Sequence, residues 1–389
     1  VELPATVLVA LFTCFTTPFT ALILRRDLGA TPLQLSVLAS ANAACLLLSP
    51  LWVRVLANRP PLQCVVWTTV LARGLFLASP WIESAWAFIG LLVAGSLLAA
   101  LTTPAQAMLI ERAYPAAERG RALGLVRMVA ATLGIGLVLV GGAAVGGTGY
   151  RWVFPLAALA GMAGSLVLSA MPVPHEAARG AEPRAGLRDA WVAVRDDADF
   201  RRLLGAAFVF GIGVWIQMPA NPLVVADVVG ATTTQVGALA ACGSLATLAG
   251  SAYWGRRVDR TGSVRTLGVV YAVGAAAAVA YLVARRPWML VPTSVLDALM
   301  HSGLDLVWVL AVIDVAGRRR TAQYMAVAGV LTGIRGILAP LLGAALIEGF
   351  GVHAVYVVSA SAMAAAAWLV GRQLRRGERA PAEARPAPA

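Results

Sequence analysis

Long apolar runs separated by short polar clusters make up most of this chain. Runs near 3–24, 34–56, 62–80, 86–108, 122–147, 153–173, 203–225, 233–254, 265–284, 288–313, 323–347 and 354–371 are each long enough to cross about 30 Å of hydrocarbon, which takes a helix of about 20 residues. An open sheet cannot satisfy its backbone groups in lipid, so the runs read as helices despite their Val and Ile content. The pattern predicts an all-α membrane protein with twelve transmembrane helices.

The polar stretches set the organisation. Most are short, but 174–202 is long and divides the chain into six spans plus six. The predicted units are a bundle over 1–173, a linker over 174–202, a second bundle over 203–372 and a disordered tail over 373–389. Within the linker Leu187, Trp191 and Val194 share a helical face flanked by Arg184, Arg188 and Arg195. That pattern suits an amphipathic helix lying at a membrane surface.

With the N-terminus inside, 23 Arg fall on cytoplasmic segments, five on outer loops (Arg25, Arg26, Arg151, Arg285, Arg286) and three within spans (Arg73, Arg127, Arg335). The positive-inside rule then places both termini in the cytoplasm. The expected location is a bacterial inner membrane, crossed many times.

Composition agrees with this picture. Apolar residues make up 59% of the 389 and charged residues 13%, with a mean hydropathy of +0.78. Soluble domains carry about 25% charged residues, so an ordinary soluble protein and a disordered one are both excluded. The net charge of +12 is mostly a topology signal, and a nucleic-acid partner is not expected. All 31 basic residues are Arg; a phosphate-binding loop of the Gly-x-x-x-x-Gly-Lys type is therefore absent, which disfavours ATP-driven pumping by this chain. Cys14, Cys45, Cys64 and Cys242 lie inside apolar runs without metal-ligand spacing and read as packing residues. The first run has no basic segment or cleavage site before it and reads as a span.

The halves repeat one another weakly. Arg54-Val-Leu-Ala-Asn58-Arg59 follows span two, and Gly255-Arg-Arg-Val-Asp259-Arg260 follows span eight. Gly134 and Gly141 in span five parallel Gly336 and Gly343 in span eleven. The matches fall at offsets of 201 and 202, which points to a duplicated six-helix unit.

Gly255-Arg-Arg-Val-Asp259-Arg260-Thr-Gly262-Ser-Val-Arg265 resembles the loop signature of the major facilitator superfamily. Its place between spans eight and nine is one of the two where that family carries it. The copy after span two departs from the pattern, with Arg54 for Gly and Asn58 for Asp, and Pro115 to Gly124 resembles the loop between spans four and five. The resemblance implies two pseudo-symmetric six-helix bundles. It also implies a contact of Asp259 with the N-terminus of span five, near Ala122, that would favour an outward-facing state. A carboxylate there would be stabilised by the helix dipole. Arg127, about one turn inside that span, could snorkel and suits a structural or gate role. The loop arginines would equally serve as lipid anchors.

Ionisable residues within spans point to function by default. Asp297, His301 and Asp305 in span ten are spaced by four and share one helical face, each advanced by about 40°. A buried carboxylate beside an imidazole is suited to reversible proton carriage. The same groups could instead fix helix packing by pairing, or with His301 hold a divalent metal. Arg335 in span eleven needs a partner, and Asp297 or Asp305 is the first candidate. Thr17 in span one, Gln106 in span four, Trp215, Gln217 and Asn221 in span seven and Trp308 in span ten are softer candidates for a substrate site. In the resembled family spans one, four, seven and ten line the central cavity. Span four lacks the intramembrane Arg of many proton-driven members, and span five lacks the Gly-Pro pattern of many antiporters.

These residues lead to the expectation of a secondary transporter, not an enzyme. It would move a small organic or drug-like compound outward in exchange for protons, without a cofactor, as a monomer among membrane lipids. A proton symporter or facilitative importer of a metabolite is the main alternative. A metal transporter and an intramembrane enzyme using His301 with Asp297 or Asp305 are more distant ones.

Overall fold

The structure is a computed structural model describing residues 2–48, 60–113, 119–171, 194–195 and 197–379. Among them every regular element is helical. In chain order these are α1 (Glu2–Arg26), α2 (Pro32–Leu47), α3 (Pro61–Gly74, continued by a 3-10 turn Leu75–Trp81), α4 (Ala85–Ala113), α5 (Arg119–Thr148) and α6 (Tyr150–Leu168). The second half has α7 (Ala198–Ile216, prolonged to Val228), α8 (Thr233–Thr261), α9 (Ser263–Val283) and α12 (Val352–Arg379). Between α9 and α12 the helix Leu290–Phe350 is broken at Gly317, whose φ of 65° is non-helical, giving α10 (290–316) and α11 (318–350). Eleven of these segments are long and apolar enough to cross a membrane. The described part of α2 has 16 residues, and the rest of its predicted span lies outside the described residues. The chain is a multi-pass membrane protein.

Several expectations also fall outside the described residues: the Arg54–Arg59 loop, residues 115–118, the linker positions 184–191 and the tail beyond 379. Of Arg127 only the helical backbone is described. One boundary moves. Where a tail from 373 was expected, α12 continues through Arg379. Its arginines and Gln373 favour a helix, which runs through Gly377 and stops before Pro381.

The duplication is built into the backbone. Gly29 (φ 64°) and Gly230 (φ 66°) each turn the chain into the next helix. After them Thr31 and Thr232 cap α2 and α8 reciprocally with Gln34 and Gln235, satisfying donors that a helix start leaves free. A Cβ at Gly141 would meet the Cys14 carbonyl of α1, and one at Gly343 the Ile216 carbonyl of α7. Both members of that contact are shifted by 202 residues between the halves.

The halves meet chiefly at the end opposite the chain termini, here called the distal end. Arg25 at the close of α1 pairs with Asp227 at the close of α7, at 2.7 Å. The Ser36 and Ser40 hydroxyls of α2 donate to the carbonyls of Pro340 and Ile337 on α11, each at 2.7 Å. Gly142 of α5 lies against Thr233 and Gly237 of α8. The apolar core around Phe19, Phe88 and Phe154 takes in Leu223 and Ala241 of the second half, so it continues across the distal seam. Toward the terminal end of α8, Leu245, Leu248 and Tyr253 are exposed.

Candidate functional site

A cavity of about 480 Å³ opens among α7, α9, α10 and α11. It lies within the second half, and its walls follow helical spacing. From α7 come Leu204, Ala207, Gly211, Trp215 and Met218; from α10, His301, Asp305 and Trp308; from α11, Ala328, Leu331, Thr332 and Arg335. Tyr271 of α9 also lines it and stacks on Phe210 of α7, with ring centroids 4.0 Å apart. Cavities of this size suit small organic ligands.

Tertiary packing decides which face of α10 meets the cavity. Trp254 of α8 donates from Nε1 to the Leu299 carbonyl at 2.9 Å. Ser302 sits under Gly250, and Gly303 packs on Trp254 and Val270. Met300, Val307 and Ala311 are fully buried. With those positions sealed, His301, Asp305 and Trp308 are left for the open side.

Asp305 is exposed in the cavity and makes no hydrogen bond or ion pair among the described residues. His301 is half exposed; its Nδ1 lies 3.5 Å from an Asp297 carboxylate oxygen and 2.9 Å from the Asp297 carbonyl. Asp297 thus stands behind His301, one turn toward the distal end, and is not part of the cavity wall.

Arg335 departs from the sequence expectation: it pairs with neither Asp297 nor Asp305. Its guanidinium lies over Gly211 and donates from Nη1 to the Ala207 carbonyl of α7. Its Nε has no hydrogen-bond partner. The reason is steric. A glycine at 211 leaves a notch in α7, and the nearest acceptor for the long side chain is the backbone beside it.

The softer candidates divide. Trp215 and Trp308 line the cavity. Gln217 is buried and accepts from the Ser359 hydroxyl at 3.3 Å, while Asn221 accepts from the Tyr356 hydroxyl at 2.7 Å. Both amides therefore tie α7 to α12, and neither is a wall residue. Thr17 and Gln106 are exposed, on helices that do not line this cavity. In the loop signature Gly255 is half-buried, Asp259 and Arg260 are exposed, and Gly262 (φ 82°) ends α8. The Asp259 contact with α5 lies outside the described side chains. Sequence reasoning missed Gly211, Phe210 and Tyr271. The first had no signal apart from its glycine, and Tyr271 comes from a helix outside the expected lining set. It also missed the repeat Gly29-Ala-Thr31 and Gly230-Ala-Thr232, legible at an offset of 201. Among the described residues no three His, Cys, Asp or Glu side chains converge as a metal site.

The other intramembrane arginine with a described side chain is engaged elsewhere. Arg73 of α3 donates to the Gly161 carbonyl and the Ser165 hydroxyl of α6 and lies 5.7 Å from the Phe12 ring centre.

Two related six-helix halves, closed on each other at one end and holding a cavity among their spans, define a membrane carrier. Residues 3–206 and 203–389 each match the family model of the Major Facilitator Superfamily, and the chain belongs to that family. Membership makes it a transporter of small molecules, not an enzyme. Among solved structures it is similar to a bacterial homolog of the human lysosomal transporter Spinster, in an inward-facing and unoccupied conformation. The TM-score is 0.66 at 16% identity, covering 100% of this chain and 98% of that one. It is also similar to the nucleoside transporter NupG, with a TM-score of 0.69 at 12% identity over 96% of this chain and 99% of that one. Among curated proteins nothing matches.

Proposed function

We propose that the protein is a proton-coupled carrier that expels small amphipathic organic compounds across the bacterial inner membrane by alternating access. The observation that carries this reading is the exposed Asp305 carboxylate beside half-exposed His301, on the wall of an otherwise mostly apolar, aromatic cavity. Ionisable groups at such a depth are rare without a role in an ion or substrate pathway. A carboxylate and an imidazole one turn apart can take up and release a proton as the site changes its exposure. Asp297, behind His301, holds the ring through its carboxylate and carbonyl oxygens.

The arginine distribution supports cytoplasmic termini. With that orientation the closed distal end is the outer end, and the conformation is inward-facing. Outward opening would require the Arg25–Asp227 pair and the α2–α11 and α5–α8 contacts to part. Formation of the Asp259 contact at the opposite seam would then favour the outward-facing state.

The runner-up is proton-coupled or facilitative import of a metabolite, favoured by the fold likeness to a nucleoside transporter and by aromatic walls on which a base could stack. Proteoliposomes with imposed pH gradients of either sign separate the two. Export by antiport predicts that solute accumulates against the proton gradient only when protons leave the solute-filled compartment in exchange. Asp305→Asn is expected to abolish the response to the gradient while the protein remains folded. A gradient response unchanged in that variant would remove the coupling role.

A further inference from the structure

The two charges of the cavity are kept apart by the wall itself. Arg335 is the cation on that wall, yet its guanidinium is seated on α7 and bonded to the Ala207 carbonyl. The seat exists because residue 211 has no side chain: a methyl group there would overlap the guanidinium. Asp305 is consequently left without a counter-charge among the described residues. Trp308 and Trp215 line the same cavity, and indole ring faces attract cations. An exposed carboxylate with no counter-charge among the described residues, set in a cavity of largely apolar lining, offers an electrostatic partner to a positive group that enters.

We infer that this cavity takes organic cations, with Asp305 as the counter-charge and Gly211 as the positioning residue that keeps Arg335 from neutralising it. The inference rests on the carrier reading above and names the class of its cargo. A cargo of this class has an aromatic or bulky apolar body that fills the space between α7 and α10, and one positive centre directed at Asp305. Gly211 acts only through Arg335. Enlarging it pushes a flexible side-chain end, not backbone, so the expected response is displacement of the guanidinium into the cavity and toward Asp305.

The test is equilibrium binding to the purified full-length chain, without any gradient. The probes are tetraphenylphosphonium (cationic), triphenylphosphine oxide (neutral) and tetraphenylborate (anionic). Wild type is expected to prefer the cation over the neutral compound by about tenfold, the scale of one ion pair with ring contacts. Asp305→Asn should erase that preference, Asp305→Glu should retain most of it, and Arg335→Ala should keep or raise it. Gly211→Ala should weaken cation binding and leave neutral binding unchanged; the double variant with Arg335→Ala should restore it. If Asp305→Asn does not fold, the Gly211→Ala and double-variant pair decides the matter. Equal binding of cation and neutral probe by wild type, preference for the borate, or full preference in Asp305→Asn would overturn the inference. Failure here with intact gradient-driven transport of a neutral solute leaves the carrier reading standing. Cation binding without any gradient-driven movement removes the coupling and leaves this site.

Discussion

The two halves share a scaffold and differ in what they enclose. Each begins its second helix with a left-handed glycine followed by a Thr–Gln capping box. Each packs a glycine of its fifth helix onto the backbone of its first. Their intramembrane arginines have diverged. In the first half Arg73 bonds α6 twice and rests near Phe12. In the second, Arg335 makes one bond, leaves Nε without a partner and borders a cavity that holds Asp305. Among the described side chains, the first half has no acidic group within a helix, its acids Asp27 and Glu83 lying in loops. Duplication thus kept the contacts that let helices approach, while among the described side chains the acidic groups within helices belong to the second copy.

The sharpest way to break the shared scaffold is at the paired glycines. Gly343→Val would drive a side chain into the Ile216 backbone and Gly141→Val into Cys14. Each is expected to lower stability by about 1–3 kcal/mol, read as a fall in the thermal unfolding midpoint of the purified protein. Similar losses at both sites support equivalent roles; a loss at only one would break the equivalence. Gly142→Val should act on the distal seam instead, lowering transport in proteoliposomes more than it lowers the midpoint.

The arginines should separate in kind. Arg73→Ala removes two charge-assisted bonds from a packed interface, at a cost of about 1–3 kcal/mol, while the Ser165 hydroxyl keeps Thr69 as its donor and its own bond to the Gly161 carbonyl. Arg335→Ala removes a single bond, so a smaller midpoint shift but a larger change in transport kinetics is expected. Equal profiles for the two variants would contradict the division of roles.

Removing the caps is a milder comparison. Thr31→Ala and Thr232→Ala should each lose about 0.5–2 kcal/mol, and by similar amounts. Smallest of all is the Arg25–Asp227 pair, whose side chains are 28% and 42% exposed. A double-mutant cycle should return about 0–1 kcal/mol, decreasing as salt is raised. A coupling well above that range would mark the pair as a major closure element.

The site was only partly legible. Spacing of four along α10 gathered Asp297, His301 and Asp305 on one face, but a 40° advance per step let Asp297 turn behind His301. Gln217 and Asn221 resemble cavity residues in sequence, because an amide in a span needs a partner and sequence does not say whether that partner is a ligand or a neighbouring helix. Here Ser359 and Tyr356 of α12 fill that need. Gly211 carries no marker that distinguishes it from other glycines until Arg335 is seen lying over it.

Hydropathy and length by themselves determined that this is a polytopic helical protein, because lipid forces the backbone to bond within each span. The offset repeats pointed to the duplication, because equivalent turns and close helix approaches demand the same residue types. Only the tertiary structure decided which polar groups were paired, which faced the cavity, and that Arg335 turned to a backbone carbonyl in preference to Asp305. Those choices depend on the direction of each helix face and on the space left at single positions, which are set by neighbours distant in the chain.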